Sequence, residues 1–423
     1  MNSIINNFVT LTKIPHCSKN SDQLKDFLVN FATKRGYNVD VDRFGNIHIY
    51  KDSPKICLQA HYDMVCIGTA PKIDIVIDNG WMRAKSSSLG ADNGMAIAIM
   101  MQLMSDDYDI EFLFTSDEEI GLIGANGVDF ELKSSYMLNL DSEDEGEICI
   151  GCAGGVDIVA SKTYQNYISN EALNFYEVSI DGLEGGHSGV DIDKNIPNAI
   201  KLLASFIRKN NLLIAQFKGG ERRNSIPTSA KAIVATPQKL TSDGKISVKA
   251  CERVELYDSL ELNSILDDFV NGVLAENDIL EVVQSSINLA IVNFKDGVAT
   301  IETSARSMDT QDLKSVSKTY LDFFANANYT TTLEEKYPAW KPYIGEFVKI
   351  VEEKMNKIFL KSSFVAIHAG LECGVLSQKY PQMEFASIGP TIRFPHSNRE
   401  EVRLESVFKT YQVVLEIYER LNH

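Results

Sequence analysis

Residues 56–63, Ile-Cys-Leu-Gln-Ala-His-Tyr-Asp, decide the fold: a short, largely apolar run that closes on a histidine and an acid. Ile110 to Thr115 and Met137 to Leu140 repeat the pattern, apolar and then abruptly polar, as strands buried on both faces do. Between the first two runs lies Met95 to Met104, apolar on all sides, which predicts a buried helix. Upstream, Leu24, Phe27, Leu28 and Phe31 share one face of a helix that stops at Gly36. Strand and helix in alternation predict an α/β domain with a central mixed sheet flanked by helices.

From about Phe175 the rhythm changes. FYEVSI (175–180), a helical stretch at 196–210, LLIAQF (212–217) and KAIVAT (231–236) are followed by a helix around Ile265 to Leu274. NLAIVNF (288–294), VATIET (298–303) and a helical 312–324 complete a β-α-β-β-α-β-like series with one extra strand and helix, which predicts a smaller, ferredoxin-like α+β domain. Pro338 and Pro342 then break the chain and α/β features resume. The last helix carries Leu404, Val407, Phe408, Tyr411, Val414, Leu415, Tyr418 and Leu421 on one face. The expected layout is one domain made of residues 1–173 and 338–423, with residues 174–337 inserted as a second.

The 423 residues, 44% of them hydrophobic, suffice for two domains with substantial cores. A formal charge of −17 and no local basic run make nucleic acid and membrane surfaces poor partners. The most apolar run, Met95 to Met101, is far too short to span a bilayer. Cysteines 17, 57, 66, 149, 152, 251 and 373 are odd in number and scattered, and the N-terminus has no secretion signal. Free thiols and a cytoplasmic location are therefore expected.

Acidic and histidine residues fall just after the predicted strands, where open α/β sheets place ligands: His61 and Asp63, Asp92, Glu118 and Glu119, and Asp141. Each alone is equally well explained as a helix cap, a solvated acid or a structural histidine. As a set, with His396 in IGPTIRFPHSN, they form the imidazole-plus-carboxylate mixture that a pair of divalent cations needs at an open, catalytic site. The i, i+2 spacing of His61 and Asp63 lets the acid hold the far imidazole N–H. Of the adjacent Glu118 and Glu119, one can bind metal while the other serves as general base.

The motifs HYDMV, LGADNG, DEEIG, DSEDEGEICIGCAGG, LEGGHSG, RNSIP, IHAGLECG and IGPT...PHS, in this order from about Ile14 to the last helix, resemble the aminoacyl-histidine dipeptidases, carnosinase-like bacterial enzymes of the aminoacylase and carboxypeptidase clan of di-zinc peptidases. The resemblance implies His61 and Asp141 on one metal, Glu119 and His396 on the other, and Asp92 bridging both. It further implies Asp63 as orienting acid, Glu118 as general base and a cis Asp92-Asn93 peptide. His187 would stabilise the oxyanion, reaching the site from the facing subunit of a homodimer, and the inserted domain would be a lid and dimerisation domain. Asn224 and Arg306 look like the groups that receive a substrate's terminal carboxylate, and Glu372 in HAGLECG would face the bound peptide or be structural.

Competing motifs fail on inspection: Cys149 and Cys152 form a lone CxxC, Gly244-Lys245 is followed by Ile246 rather than by the Ser or Thr of a phosphate loop, and Gly186-His187-Ser188-Gly189-Val190 lacks the last glycine of a serine-hydrolase elbow. The expectation is a metallopeptidase with two divalent ions, Zn2+ or else Co2+ or Mn2+, acting on dipeptides with a free carboxylate, Xaa-His included. The alternatives are an aminoacylase or carboxypeptidase on the same scaffold, and a non-catalytic binding or oligomerisation protein, which would show a broken ligand set.

Overall fold

The computed structural model describes residues 2–169, 171–277 and 281–423. The chain divides into two compact units, the first made of Met1–Gly151, Trp340–Ala366 and Leu371–His423, the second of Cys152–Ala339 and Ile367–Gly370.

The first unit is built on an eight-stranded mixed sheet, in the order Asn38–Val41, Ile47–Tyr50, Glu111–Thr115, Ile56–His61, Tyr136–Asn139, Glu384–Ser387, Glu147–Cys152, Ser363–Ile367. Ile56–His61 lies at its centre, parallel to both neighbours, and each of its residues is buried. That double burial is why the opening stretch reads as continuously apolar rather than alternating. The helix Ala91–Ser105 buries every residue from Asn93 to Met101. Gly94 lets the helix Asn2–Leu11 press against it, since a Cβ there would come within 2.9 Å of the Phe8 ring. The last helix, Leu404–Asn422, buries Val407, Val413, Val414 and Ile417 on the same core.

A separate four-stranded sheet, Ile392–Arg393, Glu401–Arg403, Trp81–Ala84 and Ile75–Asp78, escapes the sequence reading because strands of two to four residues show no periodicity. It matters for function: its first turn carries His396.

The second unit centres on a nine-stranded antiparallel sheet in the order Ser247–Ala250, Asn174–Ile180, Ala230–Thr236, Leu213–Gly219, Val282–Lys295, Val298–Ser307, Gly154–Thr163, Thr330–Tyr337, with Gly272–Asn277 also paired to Val282–Lys295. Helices Ala199–Lys209, Leu260–Asp268 and Thr310–Asn326 bury Leu203, Leu266 and Phe324 in a core with Ile158, Ile287 and Ile301. Gly154–Thr163 falls in the first domain of the sequence layout, yet it pairs continuously with Val298–Ser307 in this sheet. The helix expected to run on to Leu274 stops at Asp268, and Gly272, at φ +108°, begins a strand instead.

Candidate active site

The core of the first unit delivers its chemistry-bearing residues from strand ends and a helix start. His61 ends the central strand, Glu118 and Glu119 follow Glu111–Thr115, Asp141 follows Tyr136–Asn139, and Asp92 sits in the first turn of Ala91–Ser105. Asp92 Oδ1 is 3.0 Å from His61 Nε2, and Asp92 Oδ2 is 3.0 Å from His396 Nε2. His61 Nε2 also meets Asp141 Oδ1 at 3.4 Å, and His396 Nε2 meets Glu119 Oε2 at 2.9 Å. One carboxylate thus spans two imidazoles, each with a further acid. His61, Asp92 and Asp141 form one group able to hold a metal ion, and Asp92, Glu119 and His396 another; His61, Glu118 and Glu119 form a third. The Asp92-Asn93 peptide is cis, as expected, and Asn93 Nδ2 donates to Leu140 O at 3.0 Å and to Asp141 Oδ1 at 2.6 Å.

Charge in this cluster is unbalanced. Burial and the nearby Glu119, Asp141 and Glu372 carboxylates hold the Glu118 carboxyl well above its usual range. Burial likewise raises Glu119, Asp141 and, to about 9, Glu143. Burial opposes charge on the two imidazoles, but Asp141, Asp63 and Asp92 outweigh it at His61, and Asp92 and Glu119 push His396 up to about 11. The donor set, imidazole nitrogen with carboxylate oxygen, matches borderline-hard divalent cations, and such ions would balance these acids.

Asp63 lies against the far side of the His61 ring, as the spacing leads one to expect, but also reaches further. His61 Nδ1 lies 3.0 Å from the Asp63 backbone carbonyl and 3.5 Å from its carboxylate. The carboxylate also accepts from Ser18 Oγ at 2.7 Å and from the Glu118 backbone N–H at 2.9 Å, tying the imidazole strand to the glutamate pair. Of the two readings of Glu372, its contacts fit the structural one: it is fully buried, with Oε2 accepting from Gln59 Nε2 at 2.5 Å and Thr115 Oγ1 at 2.7 Å. The cysteine expectation fails at one pair: Cys17 and Cys66 form a disulfide across the segments that carry Ser18 and Asp63.

Glu400 was not anticipated at all. Nearly buried, its carboxylate accepts four backbone N–H groups at the start of the Asp92 helix: Leu89 at 2.7 Å, Gly90 at 3.1 Å, Ala91 at 2.7 Å and Asp92 at 3.3 Å. An acid four residues after His396 is the sole sequence signal, and its partners lie about three hundred residues away.

The remaining predicted residues belong to the second unit. His187 pairs with Ser225 in a two-residue ladder, and Ser188 N donates to Asn224 O at 2.8 Å, so the GGHSG and RNSIP motifs are held together. His187 Nδ1 accepts from the N–H groups of Gly189 and Val190 at 3.1 and 3.2 Å, which leaves the ring hydrogen of the neutral form on Nε2. Arg306 is buried on the strand Val298–Ser307; its Nη1 donates to Tyr337 Oη at 2.7 Å, and among the described residues its Nε has no partner. Arg223, in the same unit, instead meets Asp157, Glu302, Glu334 and Glu335.

Comparison with known proteins defines the class. Residues 57–420 match peptidase family M20/M25/M40, and the chain belongs to that family. It is 32% identical to the cytosol non-specific dipeptidase of Escherichia coli (strain K12), over 98% of this chain and 96% of that one. Among solved structures it is similar to the aminoacylhistidine dipeptidase of Vibrio alginolyticus, with a TM-score of 0.83 and 30% identity over 99% of this chain and 96% of the other. Human carnosine dipeptidase 1, at 11% identity and a TM-score of 0.57 over 99% and 97% of the chains, shares the fold. Among the described residues no helix is long and apolar enough to cross a membrane.

Proposed function

We propose that the chain is a two-metal dipeptidase that hydrolyses the single peptide bond of dipeptides with a free C-terminal carboxylate, Xaa-His dipeptides among them. The observation that carries the reading is Asp92, whose two oxygens each lie 3.0 Å from a different imidazole. In this reading His61 and Asp141 hold one ion, Glu119 and His396 the other, and Asp92 lies between, with Zn2+ as the ion and Co2+ or Mn2+ as substitutes. When bound, the ions acidify a water and polarise the scissile carbonyl.

Glu118 takes the water's proton and passes it to the leaving amine. Asp63 fixes Glu118 through its backbone N–H. His187 offers an Nε2–H to the oxygen on which charge develops. Arg306, a buried guanidinium with an unpartnered Nε, receives the terminal carboxylate with help from Asn224. Glu372 supports the His61 strand from within. The first unit is thus the catalytic domain and the second the lid and dimerisation domain. A cytoplasmic location is supported by the name of the E. coli relative, whereas the Cys17–Cys66 disulfide runs against the cysteine argument for it.

Metal content, with rates on a dipeptide, its C-terminal amide, a tripeptide and an N-acetyl amino acid, tests the reading. Two ions per chain and a clear preference for the free dipeptide are expected. If the N-acetyl compound is best, the enzyme is an aminoacylase, and if nothing is cleaved by the metal-loaded protein, it is a binding protein. A homodimer with His187 acting across it predicts that mixing inactive His187→Ala with inactive Glu118→Gln restores activity.

A further inference from the structure

His187 lies on Gly186–His187, a strand of two residues whose ladder with Ser225–Ile226 is too short to hold a side chain's direction by itself. Asp191 supplies the rest. Its Oδ2 accepts from the His187 backbone N–H at 2.7 Å, and its own backbone N–H donates to the His187 carbonyl at 3.1 Å. One residue thus engages both backbone polar groups of His187. The other carboxylate oxygen, Oδ1, accepts from Lys194 Nζ at 2.6 Å. Inside the turn so formed, the N–H groups of Gly189 and Val190 donate to His187 Nδ1 at 3.1 and 3.2 Å, so ring and backbone are held by the same five residues.

The turn is closely packed. A Cβ at Gly186 would come within 2.7 Å of Ile196 Cδ1 and 3.0 Å of Asp191 Cβ, so glycine there lets the acid sit close to the strand. A Cβ at Gly189 would meet the His368 carbonyl at 2.3 Å and the His187 ring at 3.0 Å, so the return segment Ile367–Gly370 braces the loop as well. Burial raises the Asp191 carboxyl, but the Lys194 hydrogen bond and the His187 N–H outweigh it and hold the group below its usual range. It is therefore an anion at neutral pH, and an anion accepts an N–H more strongly than a neutral oxygen does.

We propose that Asp191 is a positioning residue for the reaction: its carboxylate fixes the His187 backbone so that the imidazole presents its Nε2–H in one direction, and Lys194 in turn fixes the carboxylate. This role rests on the oxyanion reading of His187 above and adds to it the group that aims the donor. A hydrogen bond to a developing oxyanion lowers the barrier only if the donor is already in place. Loss of aim therefore costs transition-state stabilisation and leaves substrate binding and the metal ligands alone.

The test measures kcat, KM and metal content of variants of the metal-loaded, full-length protein on a good dipeptide. Asp191→Ala should lower kcat about 10- to 100-fold while KM and metal content stay near the parent's. Asp191→Asn keeps an oxygen that can accept from the His187 N–H, and its kcat should return to within about five-fold of the parent. Asp191→Ala combined with His187→Ala should be no slower than the residual rate of His187→Ala alone, because a group that acts only through His187 has nothing left to aim. Lys194→Met, at an exposed side chain, should lower kcat about two- to five-fold in the parent and not at all in the His187→Ala background, which decides the matter if Asp191→Ala does not fold. Losses that add in the double variant, an Asn variant no better than Ala, a loss that falls on KM or metal content, or parental kinetics in Lys194→Met would each overturn the assignment. If His187→Ala itself keeps the parental kcat, the oxyanion reading fails and this role with it. If His187→Ala is slow while Asp191→Ala matches the parent, the positioning role alone fails.

Discussion

In the first unit, Glu118, Glu119, Asp141 and Glu143 crowd around His61 and His396 with more negative charge than the two rings can balance, and burial holds all four carboxyls above their usual range. In the second unit Arg306 is buried with its Nε lacking a hydrogen-bond partner among the described residues. Where charge is structural it is matched on the spot, as at Arg223 with its four carboxylates. The contrast teaches where to look for a site: several unmatched charged groups gathered in one place, rather than a single unpartnered atom, point to something from outside. Under the proposed function the first region would take cations and the second a substrate carboxylate.

The comparison breaks first at Glu118. Glu118→Gln keeps the shape and removes the base, so kcat should fall about 10²- to 10⁴-fold while both metals stay bound. Kinetics and metal analysis on one sample decide it. Activity within a few-fold of the parent would remove Glu118 from the mechanism, and loss of an ion would exchange its role with that of Glu119, which the third metal-competent group permits.

The second unit is tested by the substrate. Amidating the C-terminus of a good dipeptide should cost about 2 to 4 kcal/mol of transition-state binding, because Arg306 then faces a neutral group. Arg306→Ala should weaken the free dipeptide strongly and the amide hardly at all, so the two changes should not add. Additive losses would mean that Arg306 serves the fold rather than the carboxylate.

Glu372 sharpens the comparison from the acidic side through pH. Burial, and then Asp141, raise its carboxyl to about 7 against the pull of His61 and of the Thr115 and Gln59 hydrogen bonds. An acid raised in the folded state contributes stability that is complete below its unfolded value, near 4.5, and is lost as pH climbs through about 7. Glu372→Gln can place its amide oxygen where Oε2 accepts and its NH2 where Oε1 has no partner. In metal-free protein the variant should therefore gain on the parent between pH 5 and pH 8, by up to about 3 kcal/mol. Urea melts at the two pH values check it, and a gap that does not grow with pH would refute the assignment.

Much of the site was legible because each ligand candidate follows a recognisable apolar run or opens a recognisable helix: His61, Asp92, Glu118, Glu119 and Asp141 mark the ends of core elements. His396 needed the resemblance, since its turn belongs to strands too short to show a period. What stayed hidden is tertiary. Glu372 reads equally as facing a peptide or as structural until its burial against Gln59 is seen. The strand Gly154–Thr163 was not read from the sequence, so the boundary at 173 left it with the first domain although it pairs with Val298–Ser307. The Cys17–Cys66 pair was missed because counting cysteines speaks to compartment, whereas pairing depends on two loops meeting.

Glu400 offers the smallest effect and the finest test of how the acidic region is held. Its two oxygens share four N–H groups, Leu89 and Gly90 on Oε2, Ala91 and Asp92 on Oε1, and so fix the backbone that aims Asp92 at both imidazoles. Glu400→Gln replaces one oxygen with NH2, which turns a donor toward two donors and weakens the grip on one side only. Asp92 should then be less well positioned rather than lost. Metal affinity should fall about 10- to 100-fold, the usual range for removing a partner that orients a ligand, and kcat should recover when metal is added in excess. Calorimetric titration of the metal-free variant reads the affinity directly. A lowered melting temperature with unchanged metal affinity would make Glu400 a helix cap with no bearing on Asp92. A kcat that excess metal cannot restore would put Glu400 closer to the chemistry than its hydrogen bonds imply.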